Sequence, residues 1–199
     1  MRHAAAKFWI ALAIGVVAAT PAFAHFDPIA HGSFPAGFLH PLSGLDHILA
    51  MVGVGLWASL LGGKSIWAVP AAFVVTMMAG FGVAMLHVGL PFVEPVIAAS
   101  VVVLGLLALV ALQAPTVVAM VMVGVFAFFH GYAHGGELGE AGALPFMAGF
   151  AVATAVLHAT GVAIGLGTGR LAGGTGGRLA ARIAGGLVAL GGVWIAVGA

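Results

Sequence analysis

The sequence predicts an all-α fold, a polytopic bundle of six transmembrane helices after a cleaved signal peptide, and three observations point to it. Of 199 residues, 63% are hydrophobic and 6% charged, whereas a soluble domain needs about 25% charged residues to cover its surface. The apolar residues fall into six runs, each near the ~20 residues with which a helix crosses a bilayer. Ahead of them, the N-terminus has the layout of an export signal.

That signal consists of Arg2, His3 and Lys7, an apolar stretch from Phe8 to Ala19, and then Pro21-Ala22-Phe23-Ala24. Ala22 and Ala24 form an A-x-A cleavage site, so residues 1–24 are removed and His25 becomes the mature N-terminus on the outer side. Residues 25–199 then form a single transmembrane domain. Its six segments run from Leu39 to Leu61, Ile66 to Val88, Phe92 to Leu112, Thr116 to Ala133, Leu144 to Leu166 and Leu179 to Val197. Every break has turn chemistry: Gly62-Gly63-Lys64-Ser65, Gly89 to Pro91, Gln113-Ala114-Pro115, a Gly/Glu stretch from Gly135 to Gly142 and a Gly/Arg stretch from Gly167 to Arg178.

Charge sets the orientation. Lys64, Arg170, Arg178 and Arg182 all flank odd-numbered loops, which places those loops in the cytoplasm. Asp27, Glu94, Glu137 and Glu140 lie in the N-terminal stretch or near even-numbered loops, on the periplasmic side of an inner membrane. The 32 glycines include small-xxx-small spacings such as Gly161/Gly165, the signature of closely packed membrane helices.

Composition also excludes. A net charge of +1 and no basic stripe argue against nucleic acid. The absence of cysteine removes disulfides, thiolate metal sites, iron–sulfur clusters and a Cys nucleophile. Gly63-Lys64-Ser65 resembles the tail of a phosphate-binding loop, but Ala58 stands where its first glycine belongs and no strand precedes it, so no ATPase motif is present. Neither H-E-x-x-H nor G-x-S-x-G occurs.

Histidine is the anomaly, with nine in a chain of few ionisable groups. His40-Pro41-Leu42-Ser43-Gly44-Leu45-Asp46-His47 opens the first mature segment. Positions seven apart return to one helix face, so His40 and His47 stand two turns apart on one stripe, with Asp46 off that stripe beside His47. An Asp inside a membrane helix costs ~3 kcal/mol on insertion scales and by default lines an ion path or pairs with a partner. No Lys or Arg lies at matching depth, and a metal ion is the natural counter-charge. Phe129-His130-Gly131-Tyr132-Ala133-His134-Gly135-Gly136-Glu137 closes the fourth segment. His130, His134 and Glu137 follow i, i+4, i+7 on one stripe, with Gly135-Gly136 able to unwind the helix there.

Both clusters fall at the same membrane side, so they can meet. Further candidate ligands are His87 and Glu94 on either side of the second loop, His158 ~20 Å along the fifth segment at 1.5 Å per residue, and His25 and His31 near the freed N-terminus. Glu140 reads as a solvated loop charge, and the methionines as gap-filling core.

The two clusters are similar to the signatures of the HupE/UreJ family of secondary nickel/cobalt permeases. Its patterns H-P-x-x-G-x-D-H and F-H-G-x-A-H-G-x-E are matched in full by His40-Pro41, Gly44, Asp46-His47 and by Phe129-His130-Gly131, Ala133-His134-Gly135, Glu137. The resemblance implies uptake of Ni²⁺ or Co²⁺ as a transported substrate, no permanent cofactor, and His40, Asp46, His47, His130, His134 and Glu137 as metal or transport residues. The larger nickel/cobalt transporter family has H-x4-D-H in place of the H-x5-D-H found here and does not fit.

Two other classes stay open at this point. One is an intramembrane metal- or haem-binding enzyme or electron-carrier subunit, with paired histidines as ligands and Ser43 as the candidate nucleophile of a hydrolase. The other is an accessory subunit whose polar groups meet partner helices. Sequence leaves Ni versus Co versus Zn undecided, and likewise whether the chain forms a homo-oligomer. If histidines exchange protons for metal, uptake depends on pH, because ligands must be deprotonated to bind.

Overall fold

The computed structural model describes residues 33–137 and 142–198, which are helical with short connections. Six helices follow in order: α1 (Phe34–Ser43), α2 (Leu45–Leu61), α3 (Ser65–Ala84), α4 (Val93–Leu109), α5 (Thr116–Glu137) and α6 (Ala143–Gly198). The expected signal peptide, and with it His25 and His31, lies outside the described residues. No strand occurs among the described residues.

The first expected segment is not one helix. α1 and α2 meet at Gly44 (φ −97°, ψ 121°), and their axes are bent by 84°. The local sequence explains the break. Pro41 cannot donate a backbone hydrogen bond inside α1, and Ser43 Oγ donates at 2.7 Å to the carbonyl of His40, the group that Gly44 N–H would claim in a continuing helix. A Cβ on Gly44 would lie 2.7 Å from Asp46 Oδ1 and 2.8 Å from His47 Nδ1, so only glycine lets those side chains fold back over the bend.

At the other end of α2, Gly62 (φ 73°) and Gly63 (φ 52°) take left-handed conformations that glycine adopts without strain. α6 is also two helices in effect. It breaks at Gly173 (φ 73°, ψ 173°), and a Cβ on Gly177 would strike the backbone of Gly169, so the halves 143–172 and 174–198 turn back on each other. The Gly/Arg stretch expected as a loop is therefore helical on both sides of one residue. Glycine weakens a helix without forbidding it, and at Gly177 the close hairpin leaves no room for a larger residue.

Packing follows the small residues. α3 pairs with α5, while α2 and α4 lie on α6. Gly131 and Gly135 of α5 sit on the carbonyls of Met77 and Phe81, and Gly80 sits on that of Phe128. Gly55 meets Gly161 in the first half of α6, and Gly185 in the second half meets Ala108 and Leu109. Such contacts replace the hydrophobic drive that lipid does not supply. They also answer the expectation about Gly135-Gly136: the helix continues through both to Glu137, because Gly135 is a packing residue.

The molecule is apolar outside and holds several polar side chains within an otherwise apolar core. Trp67, Leu86, Leu171 and Leu190 are exposed, while His47, His130, His134, His158, Ser100 and Thr154 are buried. Lipid, rather than water, suits that surface. Three helical stretches (Ser65–Ala84, Thr116–Gly136 and Ala143–Val197) are long and apolar enough to cross a membrane, and there are four if the bent α1–α2 pair counts as one span. α4 is apolar but shorter.

The turns sort into two ends. Trp57 Nε1 donates to Leu112 O at 2.9 Å, Gln113 Nε2 to Leu60 O at 3.4 Å and Arg182 Nε to Leu109 O at 2.7 Å, while Ser65 and Thr116 share a hydroxyl bond of 2.8 Å. These tie the first and third loops and the second half of α6 together. At the opposite end, Tyr132 donates to the carbonyl of Val88 and accepts from Leu90 N at 3.0 Å, pinning the second loop to α5.

Candidate metal centre

The bend at Gly44 brings the two sequence clusters into contact. His40 arrives from α1, His47 from the first turn of α2 and His134 from the last turn of α5. One ligand nitrogen from each lies within 4.8 Å of the others. A cation held at ~2.0–2.1 Å by each imidazole would separate its ligand atoms by ~3–4 Å, so the three nitrogens are close to a binding arrangement. His40 and His47 thus converge through an 84° bend, and not as neighbours on a single helical stripe.

His47 and His134 are the tightest pair, their Nε2 atoms facing each other at 2.7 Å. Behind His47, Asp46 Oδ1 lies 3.0 Å from Nδ1, an ion-pair distance without ideal hydrogen-bond alignment. A carboxylate there favours the proton on Nδ1 and leaves Nε2 as the lone-pair nitrogen, the relation found behind many metal-bound histidines. Asp46 therefore sits on the far side of His47 from the converging nitrogens.

His130 lies one turn before His134 on α5 and is fully buried. Its Nδ1 is 2.9 Å from the carbonyl of Phe126. A carbonyl only accepts, so Nδ1 carries the proton and Nε2 presents a lone pair. That Nε2 is buried without a hydrogen-bond partner. The His130 ring stands 5.5 Å from that of His47, centroid to centroid, beside the three-histidine group and not in it.

His158, on the first half of α6, is also buried, and neither ring nitrogen has a partner. Its ring packs 4.9 Å from Phe73, which is itself 5.8 Å from His130. His87 is exposed beyond the end of α3, in a left-handed conformation (φ 56°). Glu94 is exposed in the first turn of α4. The structure brings neither into the histidine group. Glu137 is the last residue of α5.

Sequence reading missed the aromatic wall. Phe146 and Phe150 of α6 stand 5.6 and 5.9 Å from His40, and Phe150 is 5.1 Å from His134. Their i, i+4 spacing was the available signal, but in so apolar a segment it reads as ordinary packing. Rings around the imidazoles exclude water and hold their rotamers, which favours a site preformed for a ligand.

Fold and site together define a multi-pass membrane protein with a histidine cluster in its interior. The family model described as HupE / UreJ protein matches residues 12–195, and the chain belongs to that family. It is similar to "Protein HupE" of Rhizobium leguminosarum bv. viciae, with 48% identity over 178 residues covering 89% of this chain and 91% of the relative. No solved structure matches the chain.

Proposed function

We propose that the protein is a secondary transporter that takes up a divalent transition metal, Ni²⁺ or Co²⁺, from periplasm to cytoplasm. The observation that carries this reading is the convergence of His40, His47 and His134, one nitrogen each within 4.8 Å, in an apolar helical protein. Imidazole suits Ni, Co, Zn and Cu(II), and the absence of thiolate disfavours soft monovalent ions. The family supports the choice of nickel and cobalt.

In this reading the α1–α2 pair, α3, α4, α5 and the two halves of α6 make six passes in the inner membrane. Cleavage after Ala24 leaves the mature N-terminus in the periplasm. Lys64, Arg170, Arg178 and Arg182 mark the cytoplasmic end. His25, His31, Glu94 and Glu137 gather the ion at the periplasmic end, with His87 beside them. His40, His47 and His134 bind it, and Asp46 orients His47 and balances the charge. An incomplete shell of three neutral nitrogens strips part of the ion's water and still allows release.

The geometry argues against the enzyme and electron-carrier alternatives. Two Nε2 atoms 2.7 Å apart leave no slot for a porphyrin between His47 and His134. Ser43, the candidate nucleophile that the sequence offers, donates to the carbonyl of His40.

The test is accumulation of radiolabelled nickel and cobalt in cells expressing wild type, Asp46→Asn, His47→Ala or His130→Ala at matched protein levels. Uptake by wild type that collapses in all three supports the permease. No uptake, or uptake indifferent to these changes, moves the assignment to an accessory subunit.

A further inference from the structure

Five of the nine histidines lie within the helical bundle, and they divide into two groups that sequence motifs do not separate. His40, His47 and His134 face one another. His130 and His158 are buried apart from them and share the ring of Phe73, at 5.8 and 4.9 Å. Between them they hold three buried ring nitrogens without partners: Nε2 of His130 and both nitrogens of His158.

Orphaned polar atoms in a membrane interior are unfavourable, because no solvent is there to satisfy them. Ordinary packing histidines resolve this with a carbonyl or hydroxyl, as His130 Nδ1 does with Phe126. The other nitrogens do not. Since Nδ1 of His130 holds the proton, its Nε2 can only accept a proton donor or bind a cation.

The surroundings supply further donor atoms. Thr154, one turn before His158 on α6, is fully buried, and its hydroxyl donates weakly to Met77 Sδ at 3.7 Å. Its oxygen lone pairs remain available. Met77 lies one turn beyond Phe73 on α3, so α3, α5 and α6 each contribute to the same region. His158 also lines a groove of about 740 Å³ between α3 and the first half of α6, which reaches Arg170 toward the odd-loop end.

We infer that His130 and His158 form a second, inner cation station, distinct from the three-histidine group, which receives a divalent transition metal from His47 and passes it toward the odd-loop end. The inference rests on the transport reading and adds to it a residue outside both family signatures. The 5.5 Å spacing of the His47 and His130 rings makes the handover a short one. His130 is then the inner member of its motif and His134 the outer.

The experiment uses the full chain purified in detergent with Co²⁺ alone as the probe, read by its d–d absorption and by equilibrium dialysis. Four forms are compared: wild type, His40→Ala/His47→Ala, His158→Gln, and the triple variant. The expected result is that the double variant still binds one Co²⁺ with a spectrum unlike that of His158→Gln, and that the triple variant binds none. A double variant that binds no Co²⁺, or residual binding that survives His158→Gln in the triple variant unchanged, overturns the inner station. Should the triple variant not fold, wild type alone decides: one spectral species throughout the titration contradicts two stations, and two successive species support them. Failure of wild type to accumulate nickel or cobalt in cells counts against the transport reading itself. Intact uptake with unchanged kinetics in His158→Gln counts only against the inner station.

Discussion

Both ends of the bundle tie backbone with polar side chains, but one of them gathers histidines as well. At the odd-loop end, Trp57, Gln113 and Arg182 each donate to a backbone carbonyl near a helix terminus. The carbonyls of Leu60 and Leu109 are helix-end groups that a helix cannot satisfy internally, and Leu112 lies in the connection after α4, so this end uses its polar chemistry to close the fold. At the other end, His40, His47 and His134 turn toward one another, while a broken helix at Gly44 and a carboxylate at Asp46 hold them there. Side chains that cap backbone stabilise a membrane protein. Side chains that face one another in a dry interior call for a ligand.

Substitutions should separate the two ends, and the largest effect belongs to the histidines. His134→Ala removes one of three converging nitrogens and should bring nickel accumulation to the level of cells lacking the protein, with the purified variant melting near wild type. Asp46→Asn keeps the shape but loses the charge behind His47, and should lower nickel affinity by roughly 10- to 100-fold, the usual cost of losing such a partner, as read by competition with a chromogenic chelator.

Gly44→Ala comes next. Its methyl carbon would crowd Asp46 Oδ1 and His47 Nδ1 at 2.7 and 2.8 Å, and both are side-chain atoms that can give way. Uptake should fall several-fold while thermal stability changes little. The smallest effect on transport belongs to the odd-loop end. Trp57→Phe deletes the bond to Leu112 and should cost about 1 kcal/mol of stability, lowering the melting temperature and leaving uptake per folded molecule unchanged. If Trp57→Phe abolished transport and Asp46→Asn only lowered stability, the division between the ends would be wrong.

How much of this could be read from the chain alone depends on what each signal encodes. The helical segments were legible because hydropathy reports burial in lipid directly, and the odd-loop grouping was legible from Lys64 and the arginines. Both histidine clusters were visible as motifs, and their meeting followed from helix direction. The bend was not visible. Spacing of seven places His40 and His47 on one stripe only if the helix continues, and Pro41, Ser43 and Gly44 each permit a continuous helix while jointly ending it. The Gly/Arg stretch misled in the other sense, since glycine marks both loops and close helix contacts, and only the backbone facing it tells which. The split between His134 and His130 is tertiary altogether. One turn apart on α5, they are separated by what α1, α3 and α6 place beside each.

The central claim is that the three converging histidines carry the metal through this chain without another protein. The most direct measurement is Ni²⁺ entry into liposomes containing only the purified chain and a trapped metal-sensitive dye, for wild type and for His40→Ala/His47→Ala. The account predicts saturable entry with wild type and the rate of empty liposomes with the variant. Equal entry through both, or none through folded wild type, would contradict it.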